Sequence, residues 1–284
     1  MEPPLDLPRD WLDAVDRAAA ARRILVVGPT DVGKSSFIRA LAGHRPEIAL
    51  LDLDPGQKMI GPPGTASLGS LARDPRLERF VFLGSTAVGG FRQLLAAASS
   101  LAIFANGRPL VVNTSGYVAG PGARLQSLTF DTLKPDLVVA VGLTGPLSDA
   151  FHSLAGSGLV RLQPSPAARR KSEGRRRAIR QQGFDEAMAG ATEWSIDRRS
   201  LQFEPGEPMA ISEDRRPVCA LADAEGREME IGLVCDAGDD QVRLLSRQPA
   251  RPVRRLRLGK MWAQQRSGEW QLLDALAPAW EADD

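Results

Sequence analysis

Residues Gly28-Pro29-Thr30-Asp31-Val32-Gly33-Lys34-Ser35, followed by Ser36, spell G-x-x-x-x-G-K-S. That spacing makes a glycine-rich loop whose backbone N–H groups wrap nucleotide phosphates, with a helix N-terminus adding a favourable partial charge. In such a loop Lys34 reaches the β- and γ-phosphates and the Ser35 hydroxyl ligates Mg2+. Gly28, Thr30, Asp31, Val32, Gly33, Lys34, Ser35 and Ser36 are the candidate nucleotide-binding set. A second group is the apolar run Ile48 to Leu53, which carries Asp52 and ends at Asp54. A carboxylate at the carboxyl end of a parallel strand can hold Mg2+ or accept a proton from an attacking hydroxyl. Strand alternation would put both acids on one face, so spacing does not choose between them. A third group lies within 169–180, where Arg169, Arg170, Lys171, Arg175, Arg176, Arg177 and Arg180 stand against the single acid Glu173. Such cations can close over a transferring phosphoryl group, bind a polyanionic backbone, or form a solvated helix face. Gly174 could hinge the segment.

The elements that must position these groups read as alternating strands and helices. Arg23 to Val27 is a short apolar strand directly before the loop, and Phe37 to Ala42 continues as a helix. Before it, residues 9–22 form an amphipathic helix with Trp11, Leu12, Val15 and Ala19 on one side. Trp11 could stack on a nucleotide base, or pack. Ile48 to Asp54 is the second strand and Gly61 to Thr65 a rigid turn. Further strands are expected at Phe80–Gly84, Pro109–Thr114, Asp136–Val141 and Gly158–Leu162. The intervening helices are Phe91–Phe104, Arg124–Leu133 and Leu147–Leu154. This alternation predicts an α/β fold, a doubly wound parallel sheet, with an Arg-rich helical lid near 164–184. Beyond about Trp194 short alternating stretches separated by Pro and Gly predict a small β-rich appendage. It holds Arg243, Arg247, Arg251, Arg254, Arg255, Arg257, Lys260 and Arg266 near Trp262 and Trp270. Bases could stack on those rings beside a cationic groove, or the tryptophans could be core.

Composition narrows the possibilities further. With 284 residues, 43% hydrophobic content and a formal net charge of +1, the chain can bury a core and has no global field toward nucleic acid or membrane. Cys219 and Cys235 form no C-x-x-C pair, and His44 and His152 have no metal-ligand spacing. Two buried thiols in a reducing cytoplasm are expected, and a zinc site or Ser-His-Asp triad is not. No apolar run reaches ~18 residues, and the first residues lack a basic-then-apolar pattern, so a cytoplasmic protein without membrane contact is expected.

With these residues in hand the chain resembles the polynucleotide 5′-hydroxyl kinases of the pre-mRNA cleavage and pre-rRNA processing type. The resemblance covers roughly Ile24 to Phe184. It is carried by the phosphate loop at 28–35, Asp-Leu-Asp-Pro-Gly-Gln at 52–57 and Pro-Gly-Thr at 63–65. It continues in Phe-Leu-Gly-Ser-Thr at 82–86, Val-Asn-Thr-Ser-Gly-Tyr at 112–117 and the Arg-rich segment at 169–180. It implies transfer of the ATP (or GTP) γ-phosphate to the 5′-hydroxyl of RNA and/or DNA. Lys34, Asp54 and Arg175 are then the catalytic residues, with Asp54 as general base and, with Ser35, Mg2+ partner. Asp52, Gln57, Thr86, Thr114, Arg169, Arg170 and Arg176 are expected on the acceptor side, Thr86 in the loop that clasps the terminal base. Where the family's clasp runs through Pro to Asn, this chain has Val88 and Phe91, and Phe91 could stack where Asn would bond. Eukaryotic members carry a β-rich N-terminal domain, so a minimal microbial form is expected.

The organisation implied is an N-terminal helical segment over 1–22, a P-loop kinase domain over 23–195 with its lid, and a small β-rich domain over 196–284. Two other readings are compatible with the loop: a small-molecule P-loop kinase, and a nucleotide-bound scaffold with little turnover. No protein partner is indicated.

Overall fold

The computed structural model describes residues 7–72, 75–155, 158–204, 211–212 and 214–273. Residues 1–6 of the expected N-terminal segment and 274–284 of the expected C-terminal domain lie outside the described residues. The chain divides into two compact units of interleaved segments. One comprises Met1–Asp54, Ala66–Glu78 and Gly90–Ser172, and the other Pro55–Thr65, Arg79–Gly89 and Glu173–Asp284.

The first unit is built on parallel strands that read as continuous apolar runs because helices cover both faces. β1 (Arg23–Val27) lies between β5 (Leu110–Asn113) and β6 (Leu137–Val141), parallel to both. β2 (Ala49–Asp52) pairs β5, and β7 (Leu159–Leu162) pairs β6, again parallel. β3 (Thr65–Ser70) joins β2 antiparallel, and β4 (Arg76–Phe82) completes the order β4-β3-β2-β5-β1-β6-β7. The doubly wound parallel sheet expected from the sequence is present. It also contains β3, an antiparallel strand that the sequence does not announce. Thr65-Ala-Ser-Leu-Gly-Ser lacks the β-branched run that marks a strand.

Five helices flank this sheet: α1 (Arg9–Ala19), α2 (Lys34–His44), α3 (Phe91–Phe104), α4 (Pro121–Leu133) and α5 (Pro146–Ala155). α1 buries Trp11, Ala14, Val15 and Ala18, an i, i+3, i+4, i+7 stripe. Leu12, expected on that stripe, is instead 43% exposed, one position outside the inward arc. α3 buries Leu94, Ala97, Ala98 and Leu101. α4 opens with proline at its first position, where the missing N–H costs nothing, and closes with Lys134 in the left-handed region. No helix among the described residues is long and apolar enough to cross a membrane.

The second unit is a mainly antiparallel sheet in the order β14-β13-β10-β11-β12-β8, with β9 parallel to β13. The strands are β8 (Thr192–Asp197), β9 (Gln202–Glu204), β10 (Arg215–Ala222), β11 (Glu228–Ala237), β12 (Gln241–Ser246), β13 (Arg255–Arg266) and β14 (Glu269–Leu273). Alternation along β10 sends Val218 and Ala220 to one face and Cys219 and Leu221 to the other. The first face packs on Phe80 and Phe82 of β4 and on Phe184, the buried residue of α6 (Glu173–Met188). Gly84 approaches Gly259 so closely that a Cβ on Gly84 would lie 2.6 Å from the Gly259 Cα, and the Lys260 N–H donates to the Gly84 carbonyl at 2.7 Å. Cys219 and Cys235 are free, buried thiols, in keeping with their spacing. Burial pushes the Cys235 thiol up to about 11 and Cys219 higher still.

Candidate active site

Val27 ends β1, and the loop 28–33 turns directly into α2. The close quarters explain the glycines. A Cβ on Gly28 would fall 2.0 Å from the Val141 carbonyl oxygen, and one on Gly33 (φ 107°) would fall 2.7 Å from the Trp11 ring. Gly33 caps α2 without a side-chain bond, which leaves the N–H groups of the first turn to an anion. Lys34 is only 8% exposed, and its Nζ donates to the carbonyls of Gly28 (2.7 Å) and Pro29 (2.8 Å). Burial lowers its pKa to about 8, against the opposing charges of Asp54 and Asp31, while Lys171 adds to the lowering. Trp11 packs edge-on to Phe37, ring centroids 6.1 Å apart, and its Nε1–H donates to the Gln163 carbonyl at 3.3 Å. It is a packed aromatic of the core, 1% exposed, behind the loop.

The two acids of the second strand differ sharply. Asp52 is the last residue of β2, fully buried, and its Oδ1 accepts the Asn113 Nδ2–H at 2.9 Å and the Asp54 N–H at 3.2 Å. Asp54 lies beyond the strand end and is partly exposed. The strand is shorter than the expected Ile48–Asp54: it ends at Asp52, and Asp54 lies in the irregular chain that follows. The register Asp52↔Asn113↔Val26 aligns β2, β5 and β1 at their carboxyl ends. Thr114 is buried there and its Oγ1–H donates to the Val26 carbonyl at 2.9 Å. Asn113 and Ser115 carry no individual role in the sequence reading. The Asn113 Oδ1 and Ser115 Oγ are buried with no hydrogen-bond partner among the described residues. Their signal is an Asn and a Ser at a strand end, legible only once β5 is known to lie beside β2. Gly116 then touches the phosphate loop, where a Cβ would fall 2.6 Å from the Thr30 backbone nitrogen.

The Arg-rich segment splits between two kinds of structure. Arg169, Arg170 and Lys171 lie in irregular chain before α6, and Arg175, Arg176, Arg177 and Arg180 lie in α6. Arg169 Nη1 donates to the carbonyls of Pro166 (2.7 Å) and Ala168 (3.1 Å), while Arg170 is exposed. The phosphate loop, Asp52, Asp54, Thr114, Arg169 and Arg170 belong to the first unit, and Gln57, Thr86, Arg175 and Arg176 to the second. Gln57 Nε2 donates to the Gly56 carbonyl at 2.7 Å, and Thr86 sits in the bend following Gly84.

The C-terminal arginines are largely committed within their own unit. Arg247 pairs with Glu230 (2.8 Å), Arg251 with Asp223 (3.3 Å), Arg255 with Glu204 (3.2 Å), and Arg257 with Glu204 (3.0 Å) and Glu228. Arg215 lies over the Trp262 ring (4.8 Å to its centroid) and Arg216 over Trp270 (4.6 Å). The rings considered as stacking platforms for bases are stacked on by the chain's own guanidinium groups.

Comparison with known proteins agrees with this geometry. A polyribonucleotide 5′-hydroxyl-kinase of Pyrococcus furiosus is 31% identical over 199 residues, covering 62% of this chain and 54% of that protein. One from Thermococcus kodakarensis is 31% identical over 192 residues with the same coverage. A polynucleotide 5′-hydroxyl-kinase of Gibberella zeae is 30% identical over 183 residues, 52% of this chain and 25% of that one. The chain thus spans about half the length of the archaeal relatives it matches. A solved Clp1p–Pcf11p complex shares the fold at TM-score 0.70 and 14% identity, over 87% of this chain and 76% of the compared chain. Residues 28–188, more than half the chain and spanning the loop, both acids and the arginine segment, match the mRNA cleavage and polyadenylation factor CLP1 P-loop, and the chain belongs to that family.

Proposed function

We propose that this protein is an ATP-dependent polynucleotide 5′-hydroxyl kinase acting on RNA and/or DNA ends. The observation that carries the reading is the buried Lys34 of a complete phosphate loop, with Asp54 close enough to act on its charge, at the carboxyl ends of β1 and β2. The named relatives supply the acceptor, a polynucleotide 5′-hydroxyl.

Lys34 and the N–H groups at the start of α2 hold the β- and γ-phosphates of ATP. The Ser35 hydroxyl and the Asp54 carboxylate are hard oxygen donors of the kind Mg2+ accepts, so they fit that ion and would hold it. When bound, the ion neutralises charge on the phosphates. Asp54 orients the 5′-hydroxyl and takes its proton as the oxygen attacks the γ-phosphorus. The bond from that phosphorus to the bridging oxygen breaks in line, and ADP leaves. Lys34 and arginines of the 169–176 segment, with Arg175 as the first choice, stabilise the charge that spreads over the transferred group. Asp52, locked by Asn113, holds the backbone at Asp54. Gln57, Thr86 and Thr114 are assigned to the acceptor side, and a reducing, cytoplasmic setting suits the two free thiols.

The test uses γ-labelled ATP, Mg2+ and 5′-hydroxyl RNA or DNA oligomers, with Lys34→Ala as control. Label at the 5′ end that disappears in the variant supports the reading. ATP binding without labelling of any oligomer, across salt concentrations and lengths, would overturn it. A nucleoside or metabolite labelled instead would point to a small-molecule kinase.

A further inference from the structure

The segment 163–171 crosses the phosphate loop as a strap, and its attachments described here all lie within the first unit. The Gln163 carbonyl accepts the Trp11 Nε1–H at 3.3 Å, and the Ser165 N–H donates to the Val32 carbonyl at 3.0 Å. The Lys171 N–H donates to Asp31 Oδ2 at 3.0 Å, and the Lys171 ammonium lies 3.6 Å from Asp31 Oδ1. Gly33 is pressed by the same strap, since a Cβ there would lie 3.0 Å from the Ser165 Cβ.

Asp31 is an odd residue for its place. Its carboxylate repels polyphosphate in a loop built to hold polyphosphate. Its φ of 61° is a left-handed conformation that a non-glycine residue adopts at a cost. Its side chain is nonetheless only 7% exposed, and it reaches 140 residues along the chain to bond a backbone N–H. We propose that Asp31 is a positioning residue rather than a nucleotide ligand: it anchors the 163–171 strap so that Lys171 is held at the phosphate loop as a second cation of the transfer site. Arg169 and Arg170 ride on the same strap. Their backbone is then held to the phosphate loop through the same anchor.

The inference rests on the kinase reading for its kinetic part, and the experiment separates the two. Asp31→Gly removes the carboxylate while accepting the left-handed backbone, Asp31→Asn keeps an acceptor for the Lys171 N–H, and Lys171→Ala leaves the loop untouched. For 5′-oligomer labelling, Asp31→Gly and Lys171→Ala should each lower kcat about tenfold with KM for ATP within about threefold. The double variant should be no worse than Asp31→Gly alone, because both act through one device. Asp31→Asn should recover most of the loss. Trypsin cleavage after Arg169 and Arg170, mapped by mass on the intact folded protein, should quicken about tenfold in Asp31→Gly and little in Lys171→Ala, which keeps the backbone bond. A raised KM for ATP with unchanged kcat, additive losses, or unaltered trypsin rates would overturn the proposal. If the wild-type protein labels no oligomer, the kinase reading falls while the trypsin rates still judge the anchor.

Discussion

Lys34 concentrates the consequences at the level of single side chains. Its ammonium is buried and bonded to two loop carbonyls, so Lys34→Ala should reduce transfer by about two to three orders of magnitude, the range for loss of one preorganised charge. Steady-state kinetics against the wild type checks this. Its depressed pKa has two measurable signs. In the nucleotide-free protein the charge is lost as pH rises through about 8, so ATP affinity should weaken between about pH 7 and 9, followed by calorimetry. The unfolded chain holds that proton up to 10.5 and so binds more protons between about 8 and 10.5; through this group alone, stability should rise with pH across that window. Asp54→Asn should lower kcat strongly while leaving nucleotide affinity within a few fold. Equal losses in both would make Asp54 a ground-state ligand only.

Among the elements, the loop is shaped by what presses on it. Gly116, in the loop that follows β5, leaves no room for a Cβ, which would fall 2.3 Å from Thr30 Oγ1. Gly116→Ala should therefore push Thr30 and weaken ATP binding about tenfold, with helix and strand content by circular dichroism unchanged. α6 is the opposite case. It presents many cations yet buries a single side chain, Phe184. Phe184→Ala should cost about 3–5 kcal/mol, the usual range for truncating a buried Phe. Denaturant unfolding measures the loss, and faster amide exchange along α6 would locate it.

For the molecule as a whole, a net charge of +1 leaves nucleic-acid affinity to local clusters. Much of the C-terminal cluster is neutralised internally. Arg251 reaches back to Asp223, and Arg257 to Glu204 and Glu228, pairs between residues far apart in the chain. Oligomer affinity should fall with salt in proportion to the phosphates neutralised. Because Arg215 already occupies the Trp262 ring, Trp262→Ala should leave that affinity within about twofold. A loss of about tenfold or more in a binding titration would restore Trp262 as a base platform.

The phosphate loop, the apolar strands at 23–27 and 137–141 and the helix at 91–104 are legible in the chain because their signals are local: glycine spacing, a β-branched run and a 3.6-residue period. β3 is not, since Thr65–Ser70 carries small polar residues that become strand only beside β2. Asp52 and Asp54 look equivalent in the chain. They differ in the fold because β2 stops at Asp52, and because Asn113, 61 residues away, claims its carboxylate. Asp31 likewise reads as one more loop residue until Lys171 arrives from 140 residues off. Residue types and short spacings thus specify which chemistry the chain carries. Which acid is buried, which cation is anchored and which ring is covered follow from register and long-range closure, because those depend on contacts that no local stretch of chain contains.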